Sequence, residues 1–261
     1  MRRRRFDSAK LLVAIPAALF IAFILAPVSA LFVRSSPGAF LAALQQADVQ
    51  EALRLSALTT AITLVCAVAF GTPIAYLLAR WSFPGRALLD TFVDLPIVVP
   101  PAVAGVALLI AFGRRGLFAP ALAAAGIQLS FTTAAVVLAQ LFVASPFYIR
   151  AARAGFVAVD RRIEEASAVL GAGPLETFWR ITVPLALPSL IGGAVLTWAR
   201  ALGEFGATIM FAGNLVGVTQ TMPLAVYLKL ESGDLPAALA ISVVLVAASV
   251  AVLLVVRTAE R

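Results

Sequence analysis

The sequence predicts an all-α integral membrane protein with about six transmembrane helices, on three observations. The chain is 62% hydrophobic and only 13% charged, with a mean hydropathy of +1.03. A soluble domain carries roughly 25% charged residues, so this chain lacks the charge to clothe a water-facing surface. Its apolar residues fall into long runs, several close to the ~20 residues that cross a bilayer as a helix. Its cations sit between those runs and form no continuous basic face, which argues against a nucleic-acid reading of the net charge of +7.

The first element is a basic start, residues 1–10, holding Arg2, Arg3, Arg4, Arg5 and Lys10. An apolar run from Leu11 to Val33 follows. Signal peptides have shorter apolar regions, roughly 7–15 residues, so the run reads as a retained first span, with cleavage near Val28-Ser29-Ala30 as the minor alternative. Leu55 to Ala79 is the second span. Leu95 to Gly113 is the third, interrupted by Pro100 and Pro101. These prolines cannot donate to acceptors near Pro96 and Ile97, so a kinked or broken helix is expected. Such breaks are tolerated where protein buries them or a watery cavity meets them. A packing kink with no substrate contact is the competing reading.

Gly116 to Ile149 contains Pro120, Gly126, Gln128 and Ser130. It reads as a loop or short surface helix, then a fourth span from about Phe131. Ile181 to Ala199 begins the fifth span. Phe205 to Leu228 carries Gly213, Asn214, Gly217, Gln220 and Pro223, turn chemistry unsuited to a lipid-facing helix. It is expected to finish the fifth span and continue as an irregular re-entry. The sixth span starts near Leu235. The chain reads as a single domain, residues 1–261, with no linker and no internal repeat.

Cations orient these spans. With the N-terminus inside, the inner segments hold Arg2 to Arg5, Lys10, Arg80, Arg86, Arg150, Arg153, Arg161, Arg162, Arg180, Arg257 and Arg261. The outer segments hold Arg34, Arg54, Arg114, Arg115 and Lys229. The bias places both termini in the cytoplasm, together with residues 159–184, a charged amphipathic island between the fourth and fifth spans.

Several chemistries are excluded. The chain has no histidine, which removes Ser-His triads, histidine zinc sites and histidine proton shuttles. A phosphate-binding loop needs Gly-Lys before Ser or Thr. Here the only lysines, Lys10 and Lys229, follow Ala9 and Leu228. The single cysteine, Cys66, excludes an internal disulfide.

The island reads Glu165-Ala166-Ser167, three residues, Gly171, nine residues, Ile181, one residue, Val183-Pro184. This resembles the Glu-Ala-Ala signature of the membrane subunits of binding-protein-dependent ABC importers, with Ser167 replacing an alanine and Val183 a leucine. The resemblance implies a type I importer permease fold. It also implies that the island is a short cytoplasmic helix seated in a groove on a separate ATPase. The residues themselves suit that role. Glu164 to Leu170 favours helix, with both glutamates early in the turn. Ala166, Ala168, Val169 and Leu170 offer contact, and Gly171 and Gly173 offer a stop. A solvated loop on lipid headgroups is the alternative.

Two further stretches, Asp94 to Gly116 and Arg200 to Ala225, resemble molybdate and tungstate permeases, with sulfate permeases as close relatives. In the second, Arg200, Glu204 and Thr208 recur every four residues, expected on one helical face. Ala199, Gly203 and Ala207 form a small-residue stripe beside them. Arg200 either lends positive potential to an anion pathway, tempered by Glu204, or pairs with Glu204 structurally.

The resemblance implies a homodimer, two cytoplasmic ATPase subunits, and a periplasmic or lipid-anchored oxyanion-binding protein. ATP and magnesium would sit on the ATPase, with no cofactor in this chain and no catalytic or metal-binding residue. A sulfate or thiosulfate permease, an ion-coupled carrier using Glu204, and a membrane scaffold or sensor are the other readings.

Overall fold

In this computed structural model, residues 2–259 are described. The side chains of residues 2–9, 11, 252, 253 and 255–259 lie outside the described set, so the charges of Arg2 to Arg5, Arg257 and Arg261 are not placed. Among the described residues the chain forms helices and turns and no strand. The helices are α1 (Arg2–Arg34), α2 (Pro37–Leu44), α3 (Ala47–Arg80), α4 (Arg86–Val98), α5 (Pro101–Phe112), α6 (Ala119–Ala124) and α7 (Thr133–Ala158). There follow α8 (Arg161–Val169), α9 (Pro174–Thr177), α10 (Val183–Leu202), α11 (Gly206–Ala212), α12 (Met222–Glu231) and α13 (Leu235–Ala259).

Four elements are long and apolar enough to cross a membrane: Leu12–Arg34, Ala47–Arg80, Thr133–Ala158 and Pro174–Leu202. The pair α4 and α5 makes a fifth if taken as one span, but it bends by 117°. The sixth expected span corresponds to α13, whose described apolar stretch is Leu235–Ala251. The chain is therefore a multi-pass membrane protein, with fewer unbroken spans than the run lengths suggest.

The third element is broken rather than kinked. Val99 N still donates to Leu95 O, and after Pro100 and Pro101 the hydrogen bonding resumes with Ala104 N donating to Pro100 O. Two consecutive residues without an N–H let the chain turn away, and Pro101 restarts a helix at its first position. The surface helix expected before the fourth span is α6, and α7 begins at Thr133 with the Thr132 hydroxyl accepting from Ala135 N.

The fifth span departs from expectation at both ends. It starts at Pro174 and passes through a π-helical turn, Phe178–Thr182, before α10. Pro184 cannot donate, and the wider turn lets Val183 N reach Phe178 O instead. The span ends early, at Leu202, with Gly203 as its cap. Arg200, Glu204 and Thr208 therefore do not share one continuous helical face, and the stripe Ala199, Gly203, Ala207 is interrupted at the same place. The expected irregular re-entry is more ordered than its turn residues suggest. It forms α11, a turn, and α12.

The centre of the molecule is α3, α7 and α10, with α7 packed along both partners. Small residues bring α7 and α10 close: a methyl on Gly155 would lie 2.6 Å from Ser189 Cβ, and one on Gly193 2.7 Å from Ala151 Cβ. Between α3 and α7, Gln140 donates to Thr59 Oγ1 and accepts from Thr63 Oγ1. All three are buried, so the network is satisfied within the protein, as an apolar interior demands. By contrast, no residue of the apolar span Leu12–Arg34 in α1 is buried; it packs against α13.

Candidate functional site

Two regions hold the residues that the sequence singles out. The first is the island around α8. Asp160 caps the helix by accepting from Arg162 N. At its other end Gly171 takes φ +92°. Gly171 N donates to Ala168 O, and Ala172 N to Ser167 O. That pair of hydrogen bonds is a Schellman stop, which a glycine makes without strain.

The outward face of α8 is bare, with an apolar end at Val169 and Leu170 beside the charged Arg162 and Glu165. Val169 and Leu170 are each 88% exposed, and Glu165, Ala166 and Ala168 are exposed with them. Ser167 instead turns inward, buried, with its hydroxyl 3.0 Å from Thr177 Oγ1. Of the remaining motif residues, Gly171 is the stop, while Ile181 and Pro184 lie at the entry to the fifth span.

The residue that holds the island is one the motif does not name. Glu164 Oε1 accepts from Arg80 Nη2 at 2.8 Å and from the Thr182 hydroxyl at 2.6 Å. Arg80 also donates to Val159 O, and Arg161 donates to Arg80 O. The island is thus tied to the ends of α3 and the fifth span. Arg80 was visible in sequence only as an inside cation, and nothing there announced its partner 84 residues away. Beside this tether lies a cleft of about 360 Å³, lined by Arg80, Trp81, Arg161, Glu165 and Ala168 among others.

The second region is where two helix breaks meet. A methyl on Gly206 would sit 2.9 Å from Pro101 Cβ. One on Gly105 would sit 2.6 Å from Ala207 O and 2.7 Å from Met210 Cβ. The break after α4 and the break after α10 are therefore in van der Waals contact, with α5 packed against α11. Pro100 and Pro101 remain exposed.

Arg200 and Glu204 come together across the second break. Arg200 Nη2 lies 2.7 Å from Glu204 Oε2, with the Glu204 side chain 1% exposed and that of Arg200 29%. Glu204 Oε1 accepts from Ala207 N at 2.8 Å. A buried carboxylate needs such partners to offset desolvation, and an amide in the first turn of α11 is a good one. Thr208 is buried in α11 with its hydroxyl unpartnered, and it makes no hydrogen bond to Arg200 or Glu204. The stretch Thr219 to Met222 is also buried, anchored by Met222 N donating to the Ser56 hydroxyl. That anchor was not legible in sequence.

Residues 71–261 match the family described as the binding-protein-dependent transport system inner membrane component. The chain belongs to this family. Among curated relatives, the molybdenum transport system permease protein ModB of Mycobacterium tuberculosis is 44% identical, over 93% of this chain and 91% of its own length. The probable transport system permease protein NifC of Clostridium pasteurianum is 39% identical, over 97% and 88%. Among solved structures, a bacterial ABC transporter that imports the polysaccharide alginate covers 100% of this permease and 97% of its own chain. Its TM-score is 0.75 at 15% identity. The MetNI methionine ABC transporter in an inward-facing form covers 81% and 94%, with a TM-score of 0.57 at 18% identity. At those identities the likeness is one of fold.

Proposed function

We propose that this permease is the membrane-spanning subunit of an ATP-driven importer of a tetrahedral oxyanion, molybdate first and tungstate alongside it. The observation that carries the ATP-driven part is the exposed face of α8 with its apolar end at Val169 and Leu170, on a helix capped at both ends and tethered through Glu164. A rigid helix presenting Val169 and Leu170 to the outside is suited to a groove on another protein. The cargo rests on the molybdenum permease relatives. A sulfate or thiosulfate permease is the second reading, favoured by the sulfate permease CysW of Synechococcus elongatus, 40% identical over 72% of this chain and 65% of its own length.

In this reading two copies form a homodimer with the pathway between them. Two cytoplasmic ATPase subunits hold the two islands, ATP and magnesium sit on the ATPases, and a periplasmic or lipid-anchored binding protein delivers the anion. The chain lies in the inner or plasma membrane with both termini cytoplasmic, as its cation bias supports. The ATPases drive transport by binding ATP more tightly in one conformation of the assembly than in the other.

The pathway runs past the meeting of the two breaks. Pro100 and Pro101 cannot donate to acceptors one turn earlier, near Pro96 and Ile97, and Arg200 supplies positive charge held in place by Glu204. Broken helices near a transport path serve this way because their free backbone groups substitute for water. An ion-coupled carrier loading on Glu204 is less well supported, because both carboxylate oxygens are already engaged.

The test is co-purification of the ATPase and uptake of molybdate into vesicles holding the full complex. Replacing Glu165 or Gly171 is expected to weaken both. Unchanged assembly and uptake in both variants would remove the docking role. Binding of molybdate, tungstate and sulfate by the partner binding protein then ranks the cargo.

A further inference from the structure

The helix α4 joins the two regions, and its attachment is unusual. None of its residues is buried, and Leu88, Phe92, Leu95 and Val98 are exposed. Val93 gives it one partly buried contact with the core around Tyr148 and Phe156. Its firm links are polar. Arg86 donates to Leu78 O at its start. Asp90 pairs with Arg153, and Asp94 with Arg150 at 2.8 Å and 3.0 Å through two nitrogens. The pairing order makes α4 antiparallel to the end of α7, with Asp90 and Asp94 on one face.

The two ends of this ladder lead to the two regions. Arg153 lies one and a half turns before the end of α7, and α8 begins after a two-residue link. Asp94 lies six residues before Pro100, where the chain breaks and restarts as α5. From α5 the contact passes to α11 through Gly105 and Gly206, which leave no room for slack. Because no α4 residue is buried and Val93 is its one contact with that core, a shift of the helix along α7 would disturb little packing. The ion pairs decide whether it follows α7.

We propose that α4 transmits movement of the island to the helix breaks, and that Asp90, Asp94, Arg150 and Arg153 are positioning residues for coupling ATP hydrolysis to transport. This rests on the importer reading above. Coupling between distant sites can be carried by ion pairs, packed side chains and rigid elements in contact, and α4 with its ladder is such a link.

The experiment uses the full complex with its ATPase and binding protein in vesicles, with radiolabelled molybdate as probe. The double variant Asp90→Asn with Asp94→Asn is expected to assemble with the ATPase at the unaltered stoichiometry and to keep its basal hydrolysis. Molybdate carried per ATP should fall roughly tenfold, within the usual span of coupling between sites. The charge exchange Asp90→Arg with Arg153→Asp should recover more of that ratio than either single change, since pairwise coupling shows as non-additivity. Three results overturn the proposal: an unchanged ratio in the neutralised variant, loss of assembly in that variant, or an exchange no better than its single changes. If the unaltered complex carries no molybdate, tungstate or sulfate, the importer reading itself fails, a result seen without any variant.

Discussion

Glu164 and Glu165 are neighbours in opposite settings. Glu164 bonds Arg80 and Thr182 and is mostly buried, whereas Glu165 is exposed and bonds nothing within the described residues. Glu164→Ala should therefore lower thermal stability by about 2 kcal/mol, as charge-assisted bonds are lost and a well-buried guanidinium is left without its carboxylate. Glu165→Ala should leave the melting temperature in place and weaken only ATPase co-purification. Melting curves of the purified permease beside pull-down yields separate the two. Arg200 and Glu204 give a second contrast. Arg200→Ala strands a carboxylate that is 1% exposed, and about 3 kcal/mol of destabilisation follows, the low end for broken buried pairs. Glu204→Gln keeps an oxygen for Ala207 N and leaves only a partly exposed arginine, so its melting temperature should fall less.

At the scale of elements, the decisive features are where helices stop. Gly171 ends α8 in a left-handed turn at φ +92°. Gly171→Ala should destabilise that stop by about 1 kcal/mol, and Gly171→Asn by less, because asparagine tolerates the turn better. Yield of the complex with the ATPase reads both. The contact of α5 with α11 has no spare volume. Gly105→Ala is expected to cost about 1–3 kcal/mol through displaced backbone, while Gly38→Ala, with nothing within 4 Å, should be neutral or slightly stabilising in its helix. Equal melting temperatures for the two variants would show that the breaks are not tightly packed.

On the scale of the whole molecule, much apolar surface is left for neighbours. No residue of the apolar span Leu12–Arg34 in α1 is buried, and α4 has no buried residue. Lipid covers part of such a surface, and the proposed second copy another part. Native mass spectrometry of the detergent-solubilised complex is expected to give two copies of this chain with two ATPases. A single copy per complex would contradict the dimer.

How much of this was legible in sequence follows from the range of the forces involved. Run length and charge placement identify a multi-pass helical protein, because lipid tolerates little else and the requirement acts residue by residue. The island's motif was legible for the same local reason: a helix former, a cap and a stop lie within a dozen residues. Tertiary structure alone decided the rest. The fifth span ends at Leu202 and not beyond Thr208, because Glu204 is better satisfied by Arg200 and Ala207 N across a break than along a face. Glu164, not a motif residue, holds the island, because its partner Arg80 comes from another helix. The meeting of Pro101 with Gly206 depends on two glycines without side chains, whose value appears only when another backbone lies against them. What the sequence by itself determined is the multi-pass helical class and where along the chain the island's short helix falls. Which breaks touch and which charges pair required the fold, since burial, not sequence distance, sets the worth of those contacts.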